Sequence, residues 1–173
     1  DVCSSDLVSR HQGPRRLCAG RLPKCAAVGK NRLMINDENP ITKVPEDSCW
    51  GYLDTAEVGR LATSVNDQPE VFPVNYVVDG QSIVFRTAAG SKLEDIVTNN
   101  RVAFEADGWT EEAGWSVVLR GKAEIITDDA ELALCDKMPL LPWVPTVKRN
   151  YVRVEADQIT GRTFAFGPEP KGN

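Results

Sequence analysis

Four side chains able to hold an anion fall within seven consecutive positions: Arg86, Thr87, Ser91 and Lys92, in the stretch IVFRTAAGSKLEDIV that runs from Ile83 to Val97. Ile83, Val84 and Phe85 before them are the β-branched and aromatic residues of a buried strand, and helix-favouring residues begin at Lys92. Gly90 lets the chain turn without a Cβ clash, and Ser91 is a good helix N-cap. A new helix leaves its first backbone N–H groups unpaired and partially positive, so a phosphate would satisfy every donor in the stretch. The same residues have a second reading. Ser91 and Glu94 are spaced as a capping box, in which the two side chains close the helix start without a ligand and Lys92 is ordinary solvated charge.

Other chemistries find fewer residues. The five cysteines, at positions 3, 18, 25, 49 and 135, form no CxxC pair, and the single histidine is His11. Neither a zinc site nor a Cys-His or Ser-His nucleophile can be assembled from them, so no metal is expected. An odd cysteine count without a secretory pattern points to a reducing, cytoplasmic compartment. Residues 1–33 carry seven Lys or Arg against two Asp, whereas residues 34–173 carry 13 basic against 23 acidic side chains. An acidic body lacks the basic patches that nucleic acid and anionic membrane both require, and neither partner is expected.

The 173 residues, 42% of them hydrophobic, are enough for a real core, and no apolar run is long enough to span a bilayer. Residues 1–33 read as a foreign, disordered leader: DVCSSDL resembles a translated sequencing adapter, and the basic stretch after it shows no strand alternation. An Arg-rich targeting peptide is the alternative. Met34 is the expected natural start, with residues 34–48 as an N-terminal tail, 49–167 as the folded domain and 168–173 as a C-terminal tail.

The elements that must position the donors follow from turn chemistry and alternation. Pro45 to Ser48 signal a short helix with Trp50 and Leu53 on one face. EVGRLATSV, VFPVNYVV and SIVFRT read as three strands of a meander, turning at NDQPE and DGQ. A helix from Ser91 to about Thr98 precedes the strands RVAFEAD and WSVVLRGKAEII, joined by GWTEEAG. A helix at DDAELALCDKM, capped by Asp128 or Asp129 and stopped by Pro139, leads to YVRVEADQITGRTFAF as one or two strands. Six strands at hairpin spacing with short helices predict an antiparallel β-barrel.

The order GRLAT, PVNYVVDG, IVFRT, GSKL, RVAFEADG, GWSVVLRGKAEII, ITGR resembles the pyridoxamine 5'-phosphate oxidase-like family of FMN-binding split barrels, from about Cys49 to Phe166. The resemblance implies a homodimer of six-stranded split β-barrels with two FMN molecules at the subunit interface. It implies that Val74, Asn75 and Tyr76 lie beside the flavin ring, that Arg86, Thr87, Ser91 and Lys92 clamp the phosphate, and that Trp115 and Ser116 contact the ring and its carbonyls. Arg162 would reach the partner's cofactor or a substrate. Taken alone, Trp115 could be simple core, Asn75 could satisfy backbone at a bulge, and Arg162 could be a surface turn residue.

The implied activity is an FMN-dependent oxidoreductase that passes hydride or electrons between a reductant and a small substrate, with the flavin supplying the chemistry. Departures from the vitamin-converting enzymes bear on the substrate. Only Lys171 follows Phe166 as a basic residue, where those enzymes carry a longer basic C-terminal region, so a substrate other than pyridoxamine phosphate is expected. The stretch MPLLPWVPTVKRNY would form an apolar wall in part of the substrate region. Alternatives are an F420-dependent reductase, an FMN-binding module without turnover, or a haem-binding relative, for which the body holds no histidine ligand.

Overall fold

The computed structural model describes residues 39–140 and 147–169. The expectations for residues 1–33, for Met34 and for Lys171 lie outside these, as does the middle of the apolar stretch, residues 141–146. Among the described residues the order is β1 (Ile41–Val44), α1 (Glu46–Leu53), β2 (Val58–Val65), β3 (Gln68–Asp79), β4 (Ser82–Thr87), α2 (Ser91–Thr98), β5 (Arg101–Trp109), β6 (Ala113–Ile125), α3 (Asp129–Cys135) and β7 (Asn150–Ala165). No described helix is long and apolar enough to cross a membrane.

All the strand pairings are antiparallel, in the order β1-β7-β4-β3-β2-β5-β6, and β6 pairs back onto β7 to close the ring. The expected antiparallel barrel is therefore the observed fold. Its six ring strands are those the alternation marked, and β7 is one strand of 16 residues. The short strand β1 is additional. It lies inside the stretch read as a tail and pairs Ile41–Val44 with Gly161–Phe164 along the edge of β7.

Turn chemistry sets the hairpins. Asn66 and Asp67 both adopt positive φ, of 51° and 61°, so two residues suffice between β2 and β3 and the turn is tighter than the five-residue NDQPE. Pro69 then falls inside β3 opposite Ser64, on a stretch that pairs with β2 and not with β4. Asp128 caps α3 by accepting from the Glu131 N–H at 2.9 Å.

Strand alternation sends one set of side chains inward. Leu61, Phe85, Phe104, Val117, Leu119, Val152 and Val154 form the barrel interior, and α1 adds Cys49 and Leu53 to it. A second cluster lies on the opposite side of β4 and β7, where Val84, Tyr151, Ile126, Cys135 and Leu140 are covered by α3 and the residues after it. Arg153 fastens that layer. It bonds Asp79 at 2.7 Å, Ser82 at 2.6 Å and Glu131 at 2.9 Å, joining β7, β3, β4 and α3.

Candidate functional site

β4 ends at Thr87, three residues turn, and α2 begins at Ser91, so the four donors marked in the sequence are gathered at one strand-to-helix junction. The helix start differs from the expected capping box. Gly90, at φ 150° and ψ −174°, is the N-cap, a backbone region essentially reserved for glycine, and no side chain caps the helix. Ser91 is thereby moved to the first helical position. The Leu93 and Glu94 N–H groups bond the Gly90 carbonyl, while those of Ser91 and Lys92 find no backbone acceptor among the described residues. Of the two donors that a capping box would have consumed, the Glu94 N–H is used by the Gly90 carbonyl and the Ser91 N–H is kept, together with that of Lys92.

Arg86 leaves β4 on the outward side, where its guanidinium carbon lies 4.9 Å from the centre of the Tyr151 ring. Its Nη2 donates to the Lys148 carbonyl at 2.8 Å, and its Nε is buried without a partner among the described residues. Thr87 is buried, with its hydroxyl donating to the Ala88 carbonyl at 3.2 Å. The Lys92 ammonium lies 5.3 Å from the centre of the Phe72 ring. Burial, and then the charge of Lys148, hold its pKa below the ordinary lysine value. Among the described residues no carboxylate pairs with Arg86, Lys92 or Lys148. Positive charge is thus concentrated there without a direct ion pair among the described residues, Asp136 being engaged by the Tyr151 hydroxyl at 2.7 Å, and a buried guanidinium N–H without an acceptor is costly unless a ligand meets it.

The PVNY strand divides by alternation. Val74 and Tyr76 point into the barrel; the Tyr76 hydroxyl donates to the Leu53 carbonyl at 2.5 Å and its ring packs edge-on against Phe104 at 4.7 Å. Burial, with Asp54 and Glu105, pushes the Tyr76 phenol above its ordinary value. Asn75 faces outward and donates to the Glu57 carbonyl at 3.5 Å. Asn75 and Arg86 flank the Tyr76–Phe85 pair on the same outward side.

Trp115 and Ser116 take opposite faces of β6. Trp115 packs against Tyr52 of α1 with ring centres 5.3 Å apart, and it lies so close over Gly108 that a Cβ there would come within 2.6 Å of its indole nitrogen. Ser116 faces outward, directly between Asp107 of β5 and Arg162 of β7, and Lys43 of β1 continues the row. Arg162 is exposed. It lies eleven residues along β7 from Tyr151, at most about 36 Å of strand at about 3.3 Å per residue. The backbone of Arg86, Thr87, Ser91 and Lys92 is gathered at one junction, but the side chains divide: Arg86 and Asn75 take the outward face, Thr87 points inward and Lys92 lies against Phe72 of the interior cluster, while Ser116 and Arg162 form a separate outward row.

Three contributors carried no signal in the pattern: Lys148 and Tyr151, which contact Arg86 from the entry to β7, and Phe72 beneath Lys92. The nearest clue was the basic pair Lys148–Arg149 just before the last strand.

A family model for pyridoxamine 5'-phosphate oxidase matches residues 45–163. An uncharacterized Mycobacterium tuberculosis protein is 47% identical over 94 residues, 54% of this chain and 86% of its own length. A solved structure named as the FAD binding protein from Mycobacterium smegmatis is similar at 42% identity and TM-score 0.65, covering 72% of this chain and 99% of its own. A Corynebacterium glutamicum structure, provisionally named a pyridoxamine 5'-phosphate oxidase, is similar at 41% identity and TM-score 0.70, covering 76% and 98%.

Proposed function

The chain belongs to the pyridoxamine 5'-phosphate oxidase family, and from that membership we propose that it is a flavin-dependent oxidoreductase whose β4–α2 junction holds the phosphate of FMN. The observation that carries the reading is the buried Nε of Arg86, unpartnered among the described residues, on a strand that leads in three residues to a helix start with no side-chain cap. A phosphate monoester has close to two negative charges and three acceptor oxygens, which matches that donor set. Arg86 and Lys92 would neutralise it, and the Ser91 hydroxyl and first-turn N–H groups would orient it.

A bound flavin would supply the hydride or electron transfer. The chain's own part is to hold and orient. Asn75, outward beside Arg86, presents an amide towards the same side as the phosphate donors. Ser116 and Arg162 would offer a hydroxyl and a cation in the second row, further along β7. We infer a homodimer, in which the row of one protomer would face the phosphate site of the other. Exposed Ile41, Trp109 and Phe166 near that row supply apolar surface for such contact.

The similar mycobacterial protein named for FAD makes the dinucleotide the competing ligand. Two cations with the Ser91 hydroxyl and the free first-turn N–H groups favour one terminal phosphate. The absorption spectrum of protein purified without added cofactor, followed by heat release and chromatography of the pigment, separates these readings. FMN is expected; FAD would correct the ligand, and a deazaflavin or a colourless protein that binds no FMN would overturn the proposal. Oxidation of a reduced nicotinamide by the yellow protein would then distinguish an enzyme from a binding module.

A further inference from the structure

We propose that Lys148, in the connection between α3 and β7, is a third cation of the phosphate site; the inference rests on the FMN-phosphate reading above. Its backbone is already part of the site, because the Lys148 carbonyl accepts from Arg86 Nη2 at 2.8 Å. The residues that follow are held in place by β4. Asn150 pairs with Thr87 and Tyr151 with Arg86, and the Asn150 amide donates to the Thr87 carbonyl at 3.5 Å. The chain therefore enters β7 beside the end of β4, where the turn into α2 begins, and a half-buried lysine is delivered to the same junction.

The side chain bears on that junction as well. Lys148 is the charged group that acts on Lys92, and both are cations. Among the described residues neither has a carboxylate partner, and the same holds for Arg86. Like charges grouped in a partly buried place without counter-charge are unfavourable until an anion arrives. A tetrahedral dianion answers three cations better than two, because each of its non-bridging oxygens then finds a charged donor. Lys148 thus contributes to affinity for the phosphate and not to the flavin ring.

The test compares FMN with riboflavin, which lacks the phosphate, by fluorescence titration of flavin-stripped full-length protein. Lys148→Ala retains the backbone carbonyl that holds Arg86, so it isolates the ammonium. FMN affinity is expected to fall about tenfold, with riboflavin unchanged and with most of the loss restored in Lys148→Arg. The pH at which FMN binding declines should also move upward in Lys148→Ala, because Lys92 is relieved of its neighbour. Parent-like FMN affinity in Lys148→Ala, alongside weakened binding in Lys92→Ala, would overturn the role of Lys148 and leave the phosphate site standing. Parent-like affinity in both variants would remove the phosphate reading itself. Equal losses of FMN and riboflavin would show a structural fault and not a phosphate contact, and would also overturn the proposal.

Discussion

The Arg86 guanidinium is held from two sides by β7 and its approach: the Tyr151 ring lies beneath it, 4.9 Å from ring centre to guanidinium carbon, and the Lys148 carbonyl takes one of its N–H groups. A planar fork fits this arrangement and a lysine does not, since an ammonium cannot stack on the ring while donating in two fixed directions. Arg86→Lys is therefore expected to weaken FMN by about tenfold while leaving riboflavin affinity unchanged. Isothermal titration with the two ligands checks it, and an unchanged FMN affinity would show that the fork is not used.

Lys92 makes binding pH-dependent. Burial and Lys148 hold its pKa below the ordinary lysine value in the free protein, and a bound dianion would raise it again. Affinity is then full below the free-state value and falls as pH rises through it. At the acid end the phosphate takes up its second proton near pH ~6 and affinity falls again. FMN titrations across pH should give a plateau with two shoulders, whereas riboflavin should show neither. The same depression implies that the charged ammonium costs folding stability below its folded pKa, a cost that fades as pH rises towards the unfolded value.

Arg153 is a structural counterpart to these ligand cations. It satisfies Asp79, Glu131 and Ser82 at once, and its own side chain is only 20% exposed. Arg153→Met leaves two half-exposed carboxylates without their partner and loosens α3 from the sheet. Urea unfolding should show a loss of about 1–3 kcal/mol, with the FMN-to-riboflavin affinity ratio unaltered. A variant as stable as the parent would mean that the network contributes nothing to the fold.

Glu105 shares Arg60 with Asp107, at 3.4 Å from the guanidinium. Burial and then the Asp107 charge raise the Glu105 carboxyl above its ordinary value, and Arg60 only partly opposes them. The ionised form is thus the disfavoured one: its cost begins as pH rises past the unfolded value and is complete above the folded one. Glu105→Gln should raise the melting temperature slightly at pH 7, by less than ~1 kcal/mol in stability, and make no difference in acid below the carboxylate range. A lower melting temperature at pH 7 would show that the bond to Arg60 outweighs the repulsion.

The barrel was legible where local chemistry and the hydrophobic period agree, as in the β3–β4 hairpin, whose Gly80-Gln81 turn sits between alternating strands; the β2–β3 hairpin was legible too, although its turn is Asn66-Asp67 and not all of NDQPE. β1 was hidden because four residues, ITKV, carry too little pattern, and their partner is supplied by β7 more than a hundred residues later. Ser91 outranks Gly90 as a cap by side-chain chemistry alone, yet the tight turn out of β4 demands a backbone angle that only glycine takes easily. Alternation within PVNY separates Asn75 from its neighbours. Lys148 was out of reach, since no periodicity tells where an irregular connection will run, and its place depends on how β7 pairs with β4.

Whether the β4–α2 junction holds the phosphate of a flavin is decided by Lys92→Ala titrated with FMN and with riboflavin. Alanine is a good helix former in the first turn, so the fold should survive. One charge-assisted contact is worth roughly 1.5–3 kcal/mol and ~1.4 kcal/mol is a factor of ten in affinity, so FMN should bind the variant about tenfold or more weakly. Riboflavin should bind variant and parent alike. Equal FMN affinity in Lys92→Ala and the parent would contradict the account and return the lysine to the solvated face of an ordinary helix.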